Sequence, residues 1–356
     1  MDLASIMALR PIAGAGLLAT LTRRCPLSCA HCSTASTMTS EEVDGDRLLR
    51  FVTSLATGDA PQVVMFTGGE PLLRPALLAD LAAAARAAGT ATAVLTGGFF
   101  TRGGRIPDRI LDVLLGLEHV SFSLDAFHER EVERTAVFAA LRTLLGHGKD
   151  VSLHVIGTGS TDLYLTDVTA DVRRQFGTAV PMLVSQLRSV GRASAWSSGR
   201  LSTLDDRPRP CSMAAWPVIA FDGAIIACCN QKVVDARPVP EHLLLGHLDH
   251  DDWPAVRARL ADSPVLRTIR TVGPLHLLAR FEPAADNAGY CASCRLLGQH
   301  PAALAGAQRT ASGPVGELLD REVGLLQQRA GAAALIRRYG SAAHAELVGT
   351  APAGLE

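Results

Sequence analysis

The sequence lacks a basic excess: 34 Lys and Arg residues are met by 35 Asp and Glu, for a formal net charge of −1. That balance excludes a general nucleic-acid or membrane-surface binder, which needs surplus positive charge to meet phosphate. A long uninterrupted apolar run is also missing. The nearest stretch, residues 76–94, is broken by Asp80 and Arg86 and reads as a helix followed by a strand, so no membrane partner is expected. No convincing signal peptide is present, since Asp2 stands where a basic segment would be and Arg10 with Pro11 interrupts the first apolar stretch. No repeats stand out. Eight cysteines in a chain without an export signal point to metal or redox use in a cytoplasmic protein rather than to disulfides. With 356 residues, 48% of them apolar, the chain is long enough for one large α/β domain and a smaller one.

Short apolar runs at 17–22, 62–66, 91–95, 119–124, 152–156 and 180–185 alternate with helical-period segments at 40–55, 75–88, 107–117 and 131–145. This βαβα order predicts a parallel sheet. Ser40 followed by Glu41 and Glu42 predicts a helix start, with acids at the positive end of the dipole. Each strand candidate runs into a polar or glycine cluster: Cys25; Gly68, Gly69, Glu70 and Pro71; Thr96, Gly97 and Gly98; Asp125; Gly157, Thr158 and Gly159; then Arg188 with Gly191 and Arg192. In α/β barrels chemistry gathers at the C-terminal strand ends, so these clusters are expected around one mouth. Six strands predict a partial, open (β/α)6 TIM-like barrel. The expected organisation is an N-terminal segment (1–15), this core (16–196), a linker rich in Ser, Asp, Arg and Pro (197–210), a cysteine-bearing subdomain (211–300) and a helical tail (301–356). In the subdomain, strands at 216–220 and 224–227 about a turn at Asp222 and Gly223 would form a hairpin delivering Cys228.

Cys25, Cys29 and Cys32 lie in one short loop with C-x3-C-x2-C spacing. Three thiols are one fewer than a [4Fe–4S] cube or a tetrahedral zinc requires. The residues alone leave two readings: a zinc knuckle completed by His31 or a distant residue, or a cube with one iron open to a non-protein ligand. Taken with the Gly68-Gly69-Glu70-Pro71 run, the spacing resembles the radical S-adenosylmethionine (SAM) superfamily. The resemblance implies that Cys25, Cys29 and Cys32 hold a [4Fe–4S] cluster whose open iron is chelated by SAM, and that reductive cleavage of SAM gives a 5′-deoxyadenosyl radical. It implies that Gly68, Gly69, Glu70 and Pro71 bind the methionine amine, that Ser123 and Asp125 contact the ribose or methionine region, and that His31 packs on the adenine. Arg192 resembles a segment that follows the sixth strand in the family, a surface ion pair being the plain alternative. Gly97 stands where the family has Asn, which removes a side-chain contact. His128 reads as loop or helix-start surface, a substrate role being the alternative.

Cys211, Gly223, Cys228 and the later pair Cys291 and Cys294 resemble the shortened SPASM, or twitch, extension of that superfamily. The resemblance implies one auxiliary [4Fe–4S] cluster on Cys211, Cys228, Cys291 and Cys294, for electron transfer; a structural four-cysteine zinc site is the alternative. Cys229 either exchanges with Cys228 as ligand or is a free thiol able to give a hydrogen atom to a substrate radical. The expected activity is that of a radical SAM oxidoreductase abstracting hydrogen from C–H on a natural product or peptide, served by a reducing partner such as ferredoxin or flavodoxin. The alternatives are an epimerase with Cys229 as donor, and a non-catalytic zinc or iron–sulfur protein. The roughly 24 residues before Cys25 are too few for a separate leader-peptide-binding domain. That tilts the expectation towards an aminocyclitol- or sugar-like small molecule, or a peptide delivered by another protein.

Overall fold

The computed structural model describes residues 1–159, 161–197, 207–285 and 289–349. Six strands follow one another across an open sheet: β1 (Gly16–Thr22), β2 (Val63–Gly68), β3 (Ala91–Thr96), β4 (His119–Ser123), β5 (Asp150–Gly157) and β6 (Met182–Gln186). Each pairs in parallel with its sequence neighbour, the order being β6-β5-β4-β3-β2-β1. Between them lie the helices α2 (Gly45–Thr53), α3 (Pro75–Ala87), α4 (Asp108–Leu115), α5 (Arg134–Gly146) and α6 (Leu163–Phe176), while α1 (Leu3–Leu9) precedes the sheet. Strands covered on both faces read as apolar runs. Leu17, Ala19, Leu21, Val64, Phe66, Val120 and Leu153 accordingly belong to one buried core with residues of α2 to α6.

The predicted start of α2 at Ser40 is not where the helix begins. Glu42 instead forms an isolated antiparallel bridge with Thr22, and Asp44 caps the helix by accepting from the Arg47 amide at 3.0 Å. The acids at 41 and 42 therefore serve the end of β1, and the later acid takes the capping position.

Three further strands extend the sheet beyond β1: β7 (Val218–Ile219), β8 (Ala224–Ile226) and β9 (Leu244–His247). β7 pairs in parallel with β1, and β8 pairs antiparallel with β7 and β9, so one nine-stranded sheet crosses the expected boundary between core and subdomain. The hairpin is where the sequence placed it. Most of the expected linker, residues 198–206, lies outside the described residues. Helices at Gly313–Arg329 and Gly331–Tyr339 form the expected tail.

A second apolar cluster joins α1, the helix Gly331–Tyr339 and Trp216 to Val63 and Ala93, with Leu18, Met65 and Leu183 at its edge. These strand residues alternate with those of the larger core, so they project from the opposite face of the sheet. Both ends of the described chain thus plug the concave side of the barrel and leave room above them.

Candidate functional site

That room is a cavity of about 570 Å³. It is lined by the ends of all six parallel strands, through Cys25, Thr67, Thr96, Ser123, Ile156 and Ser185 among others, and by all eight cysteines. The expected convergence on one mouth is what the topology produces: parallel strands share a direction, so their C-terminal ends share an edge.

The cysteine loop is tied down from the far side of the barrel. Arg192, just after β6, donates from Nε to the Cys29 carbonyl at 2.8 Å and from Nη1 to the Ser36 carbonyl at 2.7 Å, and its amide donates to the Cys32 carbonyl at 3.0 Å. Trp196 Nε1 donates to the Ala30 carbonyl at 3.0 Å. Arg192 is therefore a clamp on the loop, not a surface ion pair. Burial opposes ionisation of Cys32, but bonding to Thr34 and to the Ser36 backbone, with the Arg192 charge nearby, outweighs it and lowers the thiol. Burial pushes Cys25 up to about 12.

The Gly68-Gly69-Glu70-Pro71 run is built against the same loop. A Cβ on Gly69 would sit 2.3 Å from the Arg24 carbonyl oxygen, and the Gly69 amide donates to the Thr22 carbonyl at 2.6 Å. Absence of a side chain here lets β2 approach the end of β1 directly. Gly68 and Gly69 line the cavity; Glu70 and Pro71 lie behind it, fully or nearly buried. Glu70 accepts from the Leu72 amide at 3.1 Å, the Gly97 amide at 2.9 Å and the Thr96 hydroxyl at 2.8 Å. Burial raises its carboxyl to about 7 against those donors. Its carboxylate thus joins the ends of β2 and β3 rather than facing a ligand. Gly97 has a steric reason too, because a Cβ there would meet Leu27 Cδ1 at 2.6 Å.

Ser123, Asp125 and His31 all line the cavity. Asp125 is fully buried and its oxygens are occupied: Oδ1 by the amides of Phe127 and His128, Oδ2 by His128 Nδ1 at 2.9 Å and His31 Nε2 at 3.3 Å. Burial works against the His128 imidazolium, yet the adjacent Asp125 charge prevails and raises it to about 10; the histidines in turn hold Asp125 well below the usual carboxylate range. His31 stacks on Phe127 with centroids 4.6 Å apart, which occupies one ring face. His128 is not loop surface: its side chain is 15% exposed and faces the cavity. His154, which no motif marked, also lines the cavity, its Nε2 3.1 Å from Ser185 Oγ, and burial lowers it to about 4. A polar residue inside an otherwise apolar strand was the only signal for it.

The thiols fit an iron–sulfur cube. None forms a disulfide. Among the described residues, the only trio of His, Cys, Asp or Glu ligand atoms within 4.8 Å of one another is His31, Asp125 and His128, so Cys25, Cys29 and Cys32 are not drawn together around a point. A single zinc with bonds of about 2.3 Å would hold tetrahedral sulfurs about 3.8 Å apart, whereas a cube spreads its thiolates over separate irons. Around the later cysteines, burial raises Cys211, Cys228 and Cys294, and the charge of neighbouring cysteines raises each of them further. Ser293 Oγ, between two of them in sequence, and Arg338 Nε and Nη2 are buried without a hydrogen-bond partner. Unused donors beside thiols suit sulfide and thiolate acceptors.

A profile of the radical SAM superfamily matches residues 20–172. The chain is 35% identical over 123 residues to the PqqA peptide cyclase of Methylorubrum extorquens, covering 33% of this chain and 30% of that protein. It is 38% identical over 112 residues to the Ruegeria pomeroyi PqqA peptide cyclase, covering 30% and 28%. The match thus spans less than a third of the length of these curated relatives. Among solved structures, Streptococcus suis SuiB bound to S-adenosylmethionine aligns over 77% of each chain at TM-score 0.51 and 12% identity. The anSMEcpe enzyme with AdoMet and Cp18Cys peptide aligns over 83% of this chain and 99% of its own, at 0.50 and 13%, a likeness of fold. With Cys25, Cys29 and Cys32 after β1, Gly68 and Gly69 at the end of β2, and the profile match across β1 to α6, residues 20–172 form a radical SAM domain.

Proposed function

We propose that this chain is a radical SAM oxidoreductase that modifies a peptide, with SAM and a [4Fe–4S] cluster at Cys25, Cys29 and Cys32 and an auxiliary [4Fe–4S] cluster at Cys211, Cys228, Cys291 and Cys294. The observation that carries this is the single cavity bordered by both cysteine groups, with space between them for a reacting carbon. When bound, the SAM cluster supplies the electron that makes a hydrogen-abstracting radical from SAM, and the auxiliary cluster supplies an electron acceptor. The chain's own residues orient and enclose. Arg192 and Trp196 fix the cysteine loop, Glu70 and Thr96 join the ends of β2 and β3, and Asp125 holds His31 and His128 against the cavity wall. Cys228 is favoured over Cys229 as fourth auxiliary ligand, because Cys294 acts on it as well as Cys211, whereas Cys229 Sγ is already engaged as acceptor from Arg10.

A peptide substrate is supported by the names of the relatives, PqqA peptide cyclases, and by a fold shared with SuiB bound to its precursor peptide SuiA. No helix among the described residues is long and apolar enough to cross a membrane. The proposed enzyme is cytoplasmic and reduced by ferredoxin or flavodoxin. Anaerobic reconstitution tests the reading: about eight irons per chain and formation of 5′-deoxyadenosine on adding SAM and reductant are expected. A colourless zinc protein refutes it. Turnover in deuterated solvent separates oxidation from epimerisation, since only the latter places solvent deuterium on product carbon.

A further inference from the structure

We infer that Arg10 and Arg338 are resident counter-charges of the auxiliary cluster, and that they raise its reduction potential so that it takes up an electron during turnover. The inference rests on the two-cluster reading above and adds what directs the electron.

The two guanidiniums come from opposite ends of the described chain. Arg10 follows α1 directly and is 6% exposed. Its Cζ lies 4.7 Å from the Trp216 ring centroid, and Trp216 is itself held by a bond from Nε1 to the Leu9 carbonyl at 3.1 Å. Arg10 Nη2 donates to Cys229 Sγ at 3.0 Å, which puts its charge beside the Cys228–Cys229 pair. Arg338 lies in the last turn of the helix Gly331–Tyr339, with Cζ 5.0 Å from the Tyr339 ring centroid. The Tyr339 hydroxyl accepts from the Ser212 amide at 2.8 Å, so this second charge stands behind the turn that carries Cys211. Burial raises the Cys211 thiol, and the Arg338 charge works against that rise.

Neither side chain is neutralised. Arg10 Nη1 and Arg338 Nε and Nη2 are buried without a hydrogen-bond partner, and among the described residues no carboxylate pairs with either arginine. A guanidinium stays charged in proteins, and burying one without a counter-charge is costly. A cube held by four thiolates supplies that counter-charge, because the assembly is an anion and gains a further negative charge on reduction. Coulomb attraction grows with the added charge, so fixed cations nearby stabilise the reduced form more than the oxidised one. A charge acts through space, so nitrogens closed off by protein contribute as well, and a low local dielectric strengthens them. The N-terminal group is built otherwise. Arg192 is engaged with two carbonyls there, and burial raises Cys25 with the Glu70 charge adding to it.

The test is a redox titration of the full chain, reconstituted anaerobically and followed by electron paramagnetic resonance. The signal that does not respond to SAM reports the auxiliary cluster. Arg10→Gln and Arg338→Gln each remove a charge, and each is expected to make that cluster at least about tenfold harder to reduce at a fixed potential, a fall in midpoint of about 59 mV for one electron. The SAM-responsive signal is expected to keep its midpoint, which reports an intact barrel. Arg338→Lys retains the charge and is expected to lie closer to the wild-type midpoint than Arg338→Gln does. An auxiliary midpoint unchanged in either glutamine variant overturns the inference, as does an equal fall in both signals. Arg338 is only partly buried at the end of its helix, so its two variants decide the question if Arg10→Gln does not fold. Failure of the two-cluster reading looks different: about four irons per chain and no SAM-indifferent signal in the wild-type protein, which removes this inference with it.

Discussion

Removing the Arg192 side chain asks how much of the SAM site is held by its clamp. Arg192→Ala deletes the two guanidinium bonds to the Cys29 and Ser36 carbonyls and leaves the backbone bond to Cys32 in place. Hydrogen bonds from a charged donor contribute about 1.5 to 3 kcal/mol each. Two at the low end of that range, about 3 kcal/mol, correspond to about a hundredfold change in the population of the opened loop. The low end is the right choice because both bonds are partly buried, so water can replace some of what is lost. The assay is the rate at which a chelator bleaches reconstituted enzyme, read by electron paramagnetic resonance. The signal that changes on adding SAM belongs to the N-terminal cluster, and its loss should accelerate by about two orders of magnitude. The signal indifferent to SAM should decay at the wild-type rate. Acceleration of less than threefold, or equal acceleration of both signals, would mean that the loop is stabilised by the metal alone and that the clamp reading is wrong.

Other consequences follow from the same contacts. Glu70→Gln should change the pH dependence of stability: a carboxyl raised from 4.5 to about 7 binds its proton more tightly when folded, so its contribution is full below about 4.5 and is lost as pH rises through about 7. About 2.5 kcal/mol of it disappears between pH 5 and pH 8, so the wild-type advantage over the variant in urea melts should narrow by that amount; a constant gap would refute the assignment. Gly97→Asn, although it restores the residue usual in the family, should weaken SAM binding by at least about tenfold, because its Cβ meets Leu27 at 2.6 Å and overpacking costs about 1 to 3 kcal/mol; equilibrium dialysis measures it. Cys294→Ala should leave 5′-deoxyadenosine formation intact and halt product formation, as chromatography of single turnovers would show.

What the sequence could and could not disclose divides along physical lines. Strand runs buried on both faces are continuous and apolar, so all six parallel strands were legible within two residues, as was the β7–β8 hairpin around its Asp222–Gly223 turn. Motif residues were legible as a set but not always in their roles. Glu70 is part of a recognisable run, yet no pattern discloses that its oxygens are taken by Leu72, Thr96 and Gly97. His128 looked like a loop residue because its burial depends on Asp125 and on packing with His31, contacts a linear reading cannot weigh. The start of α2 was misplaced because two consecutive acids suit a helix terminus and an edge bridge equally well, and only the bridge to Thr22 decides.

The continuation of the sheet past β1 ties two cysteine groups far apart in sequence to one backbone framework. Cys25 follows β1, and β7 pairs with β1 in parallel, so the chain after β7 and the loop after β1 leave the sheet on the same side. The antiparallel return through β8 then carries the chain back towards the start of β1 before Cys228, and Cys211 enters just ahead of β7 at that same edge, with its amide bonded to the Ile269 carbonyl at 2.9 Å. A freely hinged auxiliary domain would have to dock to bring its cysteines to the barrel; here hydrogen-bonded backbone fixes their approach. Interrupting the β1–β7 pairing therefore tests the coupling between the groups. Ile219→Pro keeps an apolar residue but removes the amide that the β1–β7 register turns towards β1, beside the bond from the Leu18 amide to the Pro217 carbonyl, and proline in a sheet interior is poorly tolerated. Cleavage of SAM without product should result, with the auxiliary signal broadened and the SAM-responsive one unchanged. Unchanged product formation in that variant would show that the second cysteine group finds its place without the shared sheet.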